Sequence, residues 1–274
     1  MSGSPFRLLP AALAVLALCA SAARAQEVDL KDPVGDDDGP GSYKYPTDTV
    51  YKQGSFDLTG LKVRQDGDKV TFDVSVNSSL EDPWRMGTGF SVQMVFIFIQ
   101  TGDHKQGGGF TEGLPGLNIA FAPSDAWDRC VILSPQGPSR VKSEVGTKAA
   151  RMKDAIVVPT RVKGNGRVIS ATVEKSALGG GDVTHWGYQV AMQSNEGFPA
   201  ATDLLTRKVN EYEGQHRFGG GTDTDCDPHV MDVLAGNATG AKEEIELQHK
   251  MLQYECNPDG TAKKKATLTM VHKR

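Results

Sequence analysis

The chain has 274 residues, and its 34 acidic and 30 basic side chains give a net charge of −4 at neutral pH. This length accommodates one large β domain or two small ones. An acidic balance argues against proteins that bind nucleic acid by neutralising phosphate groups. The only basic cluster, Lys263–Lys265, is interpreted as a solvated turn before the last strand, so we expect no nucleic-acid partner.

The first 25 residues have the pattern of a secretory signal peptide. Arg7 precedes an apolar run over residues 8–20, and Ala23-Arg24-Ala25 forms an A-x-A cleavage site. The apolar run is shorter than the ~20 residues that span a bilayer, and no later stretch is long enough to anchor the chain. We expect cleavage after Ala25 and a periplasmic or secreted protein. The mature net charge becomes −6, because only Arg7 and Arg24 are lost.

Cys19 leaves a lipoprotein site as an alternative to soluble export, although the bulky neighbour Leu18 argues against it. The mature chain keeps three cysteines, an odd number for an exported protein. Cys130 lies in an apolar run that is typical of a buried strand. Cys226 and Cys256 lie in polar, loop-like surroundings and are the expected disulfide pair.

An acidic, glycine-rich loop opens the mature chain and predicts a calcium site. Ca²⁺ takes about 6–8 oxygen ligands from carboxylates, carbonyls and water, and glycines allow the tight turns that bring them together. The spacing does not match an EF-hand. A solvated acidic loop is the alternative. The expected ligands are Asp32, Asp36, Asp37 and Asp38 from this loop, Asp57 from the following strand start, and Asp223 from the glycine-rich block at 217–225.

Period-two alternation of apolar residues predicts an all-β chain. Residues 70–76 alternate as a strand with one solvent-exposed face. Residues 90–99 are apolar on both faces in the second half of the run, as in a covered central strand. Many short strands separated by glycine-rich turns favour a two-sheet antiparallel β-sandwich. The further predicted strands are 117–122, 129–133, 155–160, 167–173, 187–193 and 266–272, with a hairpin at Gly164-Asn165-Gly166.

Helical signal is sparse. Lys175–Leu178 predicts a single turn, and Lys242–Leu252 is compatible with a helix or a strand. We find no internal repeat and no linker-like segment, which favours one domain.

An ordered series of sequence blocks extends over most of the mature chain. The blocks are DPVGDDDGPGSYKYPTD at 32–48, FDLTGLKV at 56–63, DKVTFDVSV at 68–76, LEDPWRMGTGFSVQMVFIFI at 80–99, GLPGLNIAFAPSDAWD at 113–128, HWGYQVAMQSNEGF at 185–198 and RFGGGTD at 217–223. The series resembles the glucodextranase C-terminal-like domain, a DOMON-like β-sandwich related to family-nine carbohydrate-binding modules. The resemblance implies a jelly-roll-like module over residues 26–254, with 255–274 as an extension or extra strand.

The resemblance also implies binding without catalysis, because in that family this domain is an appendage to the catalytic unit. The G-x-S-x-G and H-E-x-x-H motifs are absent as well. Family-nine modules clamp a sugar end between two tryptophans, a device that is compatible with Trp84 and Trp127. Asp125 and Arg129 beside Trp127 would meet the hydroxyl groups. Trp186 opens an alternating strand and is expected in the core.

The sequence therefore predicts an exported, non-catalytic, calcium-stabilised module that binds an α-glucan or a cell-envelope glycan. A separate glycoside hydrolase is the candidate protein partner. A module for attachment to the cell envelope or surface layer is the first alternative. A haem-binding DOMON-like protein for electron transfer is the second, with Met86, Met94, Met192 and His185 as the candidate iron ligands.

Overall fold

Two sheets, one antiparallel and one antiparallel except at one edge, contain most of the strands. The computed structural model describes residues 26–273 apart from 103, 105–107 and 237–239, so the predicted signal peptide lies outside the described residues. The strands are β1 (Gln26–Lys31), β2 (Leu58–Asp66), β3 (Lys69–Val76), β4 (Gln93–Gln100), β5 (Ile119–Phe121), β6 (Arg129–Leu133), β7 (Ile156–Val157), β8 (Val162–Asn165), β9 (Val168–Glu174), β10 (Gly187–Ser194), β11 (Asp232–Val233), β12 (Glu255–Cys256), β13 (Ala262–Lys264), β14 (Ala266–Leu268) and β15 (Val271–His272).

The five-stranded sheet has the order β1-β2-β3-β9-β8 and is antiparallel throughout. In β3 the apolar residues at alternate positions are buried and the polar ones between them are partly exposed, as the period-two pattern predicts. The predicted hairpin at residues 164–166 joins β8 to β9, with Asn165 opposite Val168. Gly166 turns this hairpin with φ of 60°, a left-handed conformation that favours glycine.

The second sheet has the order β11-β10-β4-β6-β7, and β15 also pairs with β10. All its pairings are antiparallel except that of β6 with β7. Its central strand β4 is buried on both faces, as residues 90–99 predicted. Val95, Ile97 and Ile99 join a core cluster that includes side chains from both sheets. The alternate residues Met94, Phe96 and Phe98 join a second cluster.

Two short α-helices cover that second cluster. α2 (Ala241–Met251) resolves the helix-or-strand ambiguity at residues 242–252 in favour of a helix. α1 (Pro138–Lys148) was not predicted, because only Val141 and Val145 are buried and most of its surface is polar. Proline at the first helical position is typical of a helix start. The residues that the structure describes also form four 3₁₀ turns, at Pro123–Asp125, Lys153–Ala155, Lys175–Leu178 and Val183–His185.

The C-terminal residues are built into the rest of the chain. β14 pairs in parallel with β5, and β15 pairs with β10. A disulfide joins Cys226 to Cys256, and Cys130 is a buried free thiol. A disulfide of this kind is typical of proteins from oxidising compartments. The described helices include none with both the length and the apolar character needed to cross a membrane.

Candidate metal centre

Three buried aspartates meet where the N-terminal loop contacts both sheets. Asp32 follows β1, Asp36 lies in the acidic loop, and Asp232 begins β11. Their exposed fractions are 8%, 1% and 0%, and one carboxylate oxygen from each lies within 4.8 Å of the others. Asp57, which is 2% exposed, immediately precedes β2 and interacts electrostatically with all three. Four carboxyl groups from three separate parts of the sequence are thereby buried together.

Backbone hydrogen bonds fix the carboxyl groups on their inner side. Asp232 Oδ2 accepts from the Leu58 amide at 2.6 Å, and Asp32 Oδ1 accepts from the Ala235 amide at 3.2 Å. Asp57 Oδ2 accepts from the Gly35 amide at 2.9 Å and from Asn77 Nδ2 at 3.0 Å. Each of these three carboxylates therefore has one oxygen that is held by the protein.

The remaining oxygens of the cluster lack protein partners. They are Asp32 Oδ2, Asp36 Oδ1, Asp36 Oδ2, Asp57 Oδ1 and Asp232 Oδ1. A buried carboxylate without a compensating charge or hydrogen bond is costly. The neighbouring charges that act on the pKa values of Asp32, Asp36 and Asp232 come from other carboxylates. The cluster thus contains acceptor atoms that only protons or a cation would compensate.

Burial is the main cause of the raised pKa values in this cluster, and repulsion between the carboxylates adds to it. Desolvation and the neighbouring Asp57 raise the pKa of Asp36 to about 7. Desolvation raises the pKa of Asp57 to about 6, although Asn77 opposes the shift. The pKa values of Asp32 and Asp232 are raised well above the ordinary range for the same reason.

This donor set fits a hard divalent cation such as Ca²⁺. Calcium–oxygen distances are about 2.3–2.6 Å, so two oxygens on one ion lie at most about 5 Å apart. Carboxylate oxygens, one each from Asp32, Asp36 and Asp232, lie within 4.8 Å of one another, which satisfies this condition. The set contains no thiol and no imidazole, and an all-oxygen set favours calcium, magnesium or manganese over zinc.

Residues around the acidic loop hold its backbone in place. Gln248 on α2 donates to the Asp36 carbonyl, and its Oε1 accepts from the Val233 amide at 3.0 Å. The Gly39 amide donates to the Met231 carbonyl at 2.8 Å. Gly35 has φ of 94°, a conformation that favours glycine where the loop turns towards Asp57. The loop position is therefore fixed by contacts to β11 and α2.

The six predicted ligands have different positions in the structure. Asp32 and Asp36 belong to the cluster, with Asp57 beside them. Asp37 is buried next to this group, and its carboxylate accepts a hydrogen bond from the Tyr45 hydroxyl. Asp38 is partly exposed and lies 3.0 Å from the His249 ring. Both of these carboxylates have partners within the protein.

Asp223 does not join the cluster. It is exposed, and its carboxylate accepts from the Glu211 amide at 3.0 Å and from Asn210 at 3.3 Å. Where the sequence predicted Asp223, the distant aspartate that joins the acidic loop is Asp232. Its signal in the sequence was a lone aspartate within the apolar run at 230–235, a position where a charge needs a partner.

The residues predicted to bind sugar do not form one surface. Trp127 is 0% exposed within the second core cluster, and its indole nitrogen donates to the Glu112 carbonyl at 2.8 Å. Trp84 is half-buried in a different aromatic cluster, with ring centroids 6.2 Å from Tyr51 and 6.3 Å from His216. A clamp between Trp84 and Trp127 is therefore incompatible with the structure, because the second ring has no face open to solvent.

Asp125 and Arg129 also have structural partners. Asp125 Oδ1 accepts from the Met270 amide at 2.8 Å, next to β15. Arg129 donates to the carbonyls of Asp128 at 2.8 Å and Ala177 at 3.2 Å. These contacts connect the loop before β6 to neighbouring segments and leave the sugar-binding role of both residues without geometric support.

The candidate haem ligands are also separated. Met94 and Met192 are fully buried, in the second cluster and in the cluster shared by both sheets, respectively. His185 is exposed at the end of a 3₁₀ turn. Because Met94 and Met192 belong to different core clusters, they lie on opposite faces of the second sheet.

In calcium-free solution, the free energy of unfolding is expected to fall as the pH rises from about 4 to about 7. The pKa values of Asp57 and Asp36 are raised to about 6 and about 7 in the folded chain. The folded chain therefore keeps protons that the unfolded chain, with aspartate pKa values near ~3.9, has released. Denaturant titrations in EDTA at about pH 5 and about pH 8 measure the effect. Higher stability at the upper pH would contradict the raised pKa values.

A family model described as the C-terminal binding module, SLH-like, of glucodextranase matches residues 28–271. A search of curated proteins found no match. The family model covers both sheets, the aspartate cluster and the strands as far as Val271. The chain therefore belongs to the family of glucodextranase C-terminal binding modules.

Proposed function

We propose that this chain is an exported, non-catalytic module that binds an α-glucan or a cell-envelope glycan and is stabilised by calcium. The observation that carries the calcium part is the set of five buried carboxylate oxygens without protein partners. The observation that carries the binding part is membership of a family of binding modules. The first cluster, which contains side chains from both sheets, supports a two-sheet sandwich as the scaffold.

Calcium would have a structural role in this proposal. Asp32, Asp36 and Asp232 would hold the ion, with Asp57 as a further donor. These residues come from the end of β1, the acidic loop, β11 and the entry to β2. Bound calcium would neutralise the carboxylates and so hold the loop between the two sheets. Because the ion binds only the folded chain, it would stabilise the fold by mass action.

Attachment to the cell envelope is the second candidate function, because the family description also calls this module SLH-like. The two functions differ in their ligand. A sugar-binding accessory module would recognise the substrate of a separate glycoside hydrolase, whereas an attachment module would recognise a polymer of the envelope itself.

Calorimetric titration of the mature chain in calcium-containing buffer tests the proposal. The panel comprises soluble α-glucans, β-glucans and purified cell-envelope polysaccharide. Saturable binding to α-glucans supports the accessory role, and binding only to envelope polysaccharide supports attachment. The absence of binding to every glycan, with the calcium-dependent melting temperature intact, would contradict the glycan part and leave the calcium part standing.

A further inference from the structure

An exposed phenyl ring lies on a groove away from the aspartate cluster. Among the residues that the structure describes, Phe198 is 93% exposed, against 73% for Tyr212 and 59% for Val34. The groove has a volume of about 260 Å³, and its lining includes the charged or amide side chains of Glu196, Asp203, Arg207, Lys208, Asn210 and Arg217. A large apolar side chain in contact with water is a frequent sign of a binding surface.

The segment that carries Phe198 is anchored on both sides. The Glu196 amide donates to the Leu205 carbonyl at 2.9 Å, and Asn195 forms a β-bridge with Thr206. The Phe198 amide donates to Glu196 Oε1 at 2.9 Å, and the Arg140 guanidinium donates to the Gly197 carbonyl. Hydrogen bonds thus fix the backbone that carries Phe198, which lowers the entropy cost of binding a ligand.

A second exposed aromatic residue belongs to the loop that borders the same groove. Asn210 and Arg217 both line the groove, and Tyr212 lies between them in the chain. The loop is closed by hydrogen bonds from the Gly214 amide to the Arg217 carbonyl at 3.0 Å and from the Asn210 amide to the Phe218 carbonyl at 2.9 Å. The loop that contributes Asn210 and Arg217 to the groove therefore also carries an exposed aromatic ring, although Tyr212 itself does not line the groove.

The charges along the groove nearly balance. Three basic side chains face two acidic ones, and two close pairs are formed, Arg207 with Glu196 at 3.1 Å and Lys208 with Asp225 at 2.9 Å. A polyanion would require an excess of unpaired positive charge. Aromatic faces beside fixed hydrogen-bonding groups instead suit a ligand with apolar C–H faces and many hydroxyl groups.

We propose that the groove around Phe198 is the surface on which this module binds a neutral glycan. The inference rests on the proposed glycan-binding function and assigns its site. Phe198 would stack on the face of a sugar ring, while Asn210 and Arg217 would meet the hydroxyl groups. The groove is open and slightly smaller than the ~300–1,000 Å³ that is typical of small-molecule pockets, which suits a chain end or a short run of sugar units.

The test compares Phe198→Ala with the unchanged mature chain in calcium-containing buffer. Each protein is titrated calorimetrically with the glycan that the unchanged chain binds best in the panel, or with maltoheptaose as the reference probe. We expect Phe198→Ala to weaken binding about tenfold. The apolar area that one face of a phenyl ring buries against a ligand corresponds to about a tenfold change in the dissociation constant. Phe198→Tyr should restore most of the affinity, since it keeps the ring. The melting temperatures of both variants should match that of the unchanged chain, because Phe198 is exposed.

Two further variants keep the test decisive. Arg217→Ala removes an exposed groove residue and is expected to weaken binding about threefold, consistent with the loss of a hydrogen bond at a solvated site. Trp84→Ala is the control at the other aromatic cluster and should leave the affinity of the folded protein unchanged.

The outcomes separate this inference from the function on which it rests. If the unchanged chain binds a glycan and both groove variants bind equally well, the groove assignment is overturned and the glycan function survives. Loss of binding in Trp84→Ala alone would place the site at the aromatic cluster and would also overturn the assignment. If the unchanged chain binds no glycan at all, the proposed function fails, and the groove assignment fails with it.

Discussion

Replacement of Trp127 by alanine is expected to lower the free energy of unfolding by about 3–5 kcal/mol. The indole is fully buried, with ring centroids 5.4 Å from Phe98 and 4.7 Å from Phe110. Its removal would leave a cavity and would deprive the Glu112 carbonyl of its hydrogen-bond donor. Guanidinium titration followed by far-UV circular dichroism measures the change without depending on tryptophan fluorescence.

The same variant separates a core tryptophan from a sugar-binding tryptophan. If Trp127 served a binding surface, alanine would change stability by about 0.5 kcal/mol or less, and glycan affinity would fall. We expect the reverse, with the folded fraction of Trp127→Ala retaining the affinity of the unchanged chain. Trp127→Phe is the graded control, because it keeps an aromatic ring and should be destabilised less than Trp127→Ala.

Removal of calcium is expected to lower the free energy of unfolding by about 3 kcal/mol, relative to a calcium concentration 100 times the dissociation constant. For a domain of this size, that loss corresponds to a fall of roughly 5–11 °C in melting temperature. The physical reason is that EDTA leaves the buried carboxylates of Asp32, Asp36 and Asp232 without a cation. Thermal melts with EDTA and with calcium in excess measure the difference, and equal melting temperatures would contradict the site.

Asp232→Asn distinguishes a specific site from a general effect of salt. Asparagine keeps the shape of the side chain but removes one charge from the cluster, so the melting temperature should respond much less to calcium. In EDTA the variant should be more stable than the unchanged chain, because it removes the repulsion of the Asp232 carboxylate by Asp32 and Asp36. Asp223→Asn is the matched control, since its carboxylate is exposed outside the cluster. A normal calcium response in Asp232→Asn would show that this residue is not a ligand.

Strands and turns that depend on residues adjacent in the sequence could be predicted without the structure. The alternation at 70–76 and the two-sided apolar run at 90–99 identified β3 and the central strand β4, because side chains alternate between faces along any strand. The glycine-rich turn at 164–166 likewise identified the β8–β9 hairpin. Helix α1 escaped prediction because only two of its residues contact the core.

The candidate metal centre was predictable only in part. Clustered carboxylates at Asp32 and Asp36 indicated a cation site, because their mutual repulsion needs compensation. Asp232 is about 200 positions away in the chain, and its approach to Asp32 depends on the pairing of β11 with β10. A contact between residues so far apart in the chain cannot be predicted from a pattern of neighbouring residues.

The amino-acid sequence alone determined the strand pattern, the acidic loop and membership of a family of binding modules. Tertiary structure decided which aspartates meet, that the Trp127 ring is enclosed, and that Phe198 remains in water. The physical reason is that alternation and local charge are properties of adjacent residues. Burial depends instead on which distant segments pack together.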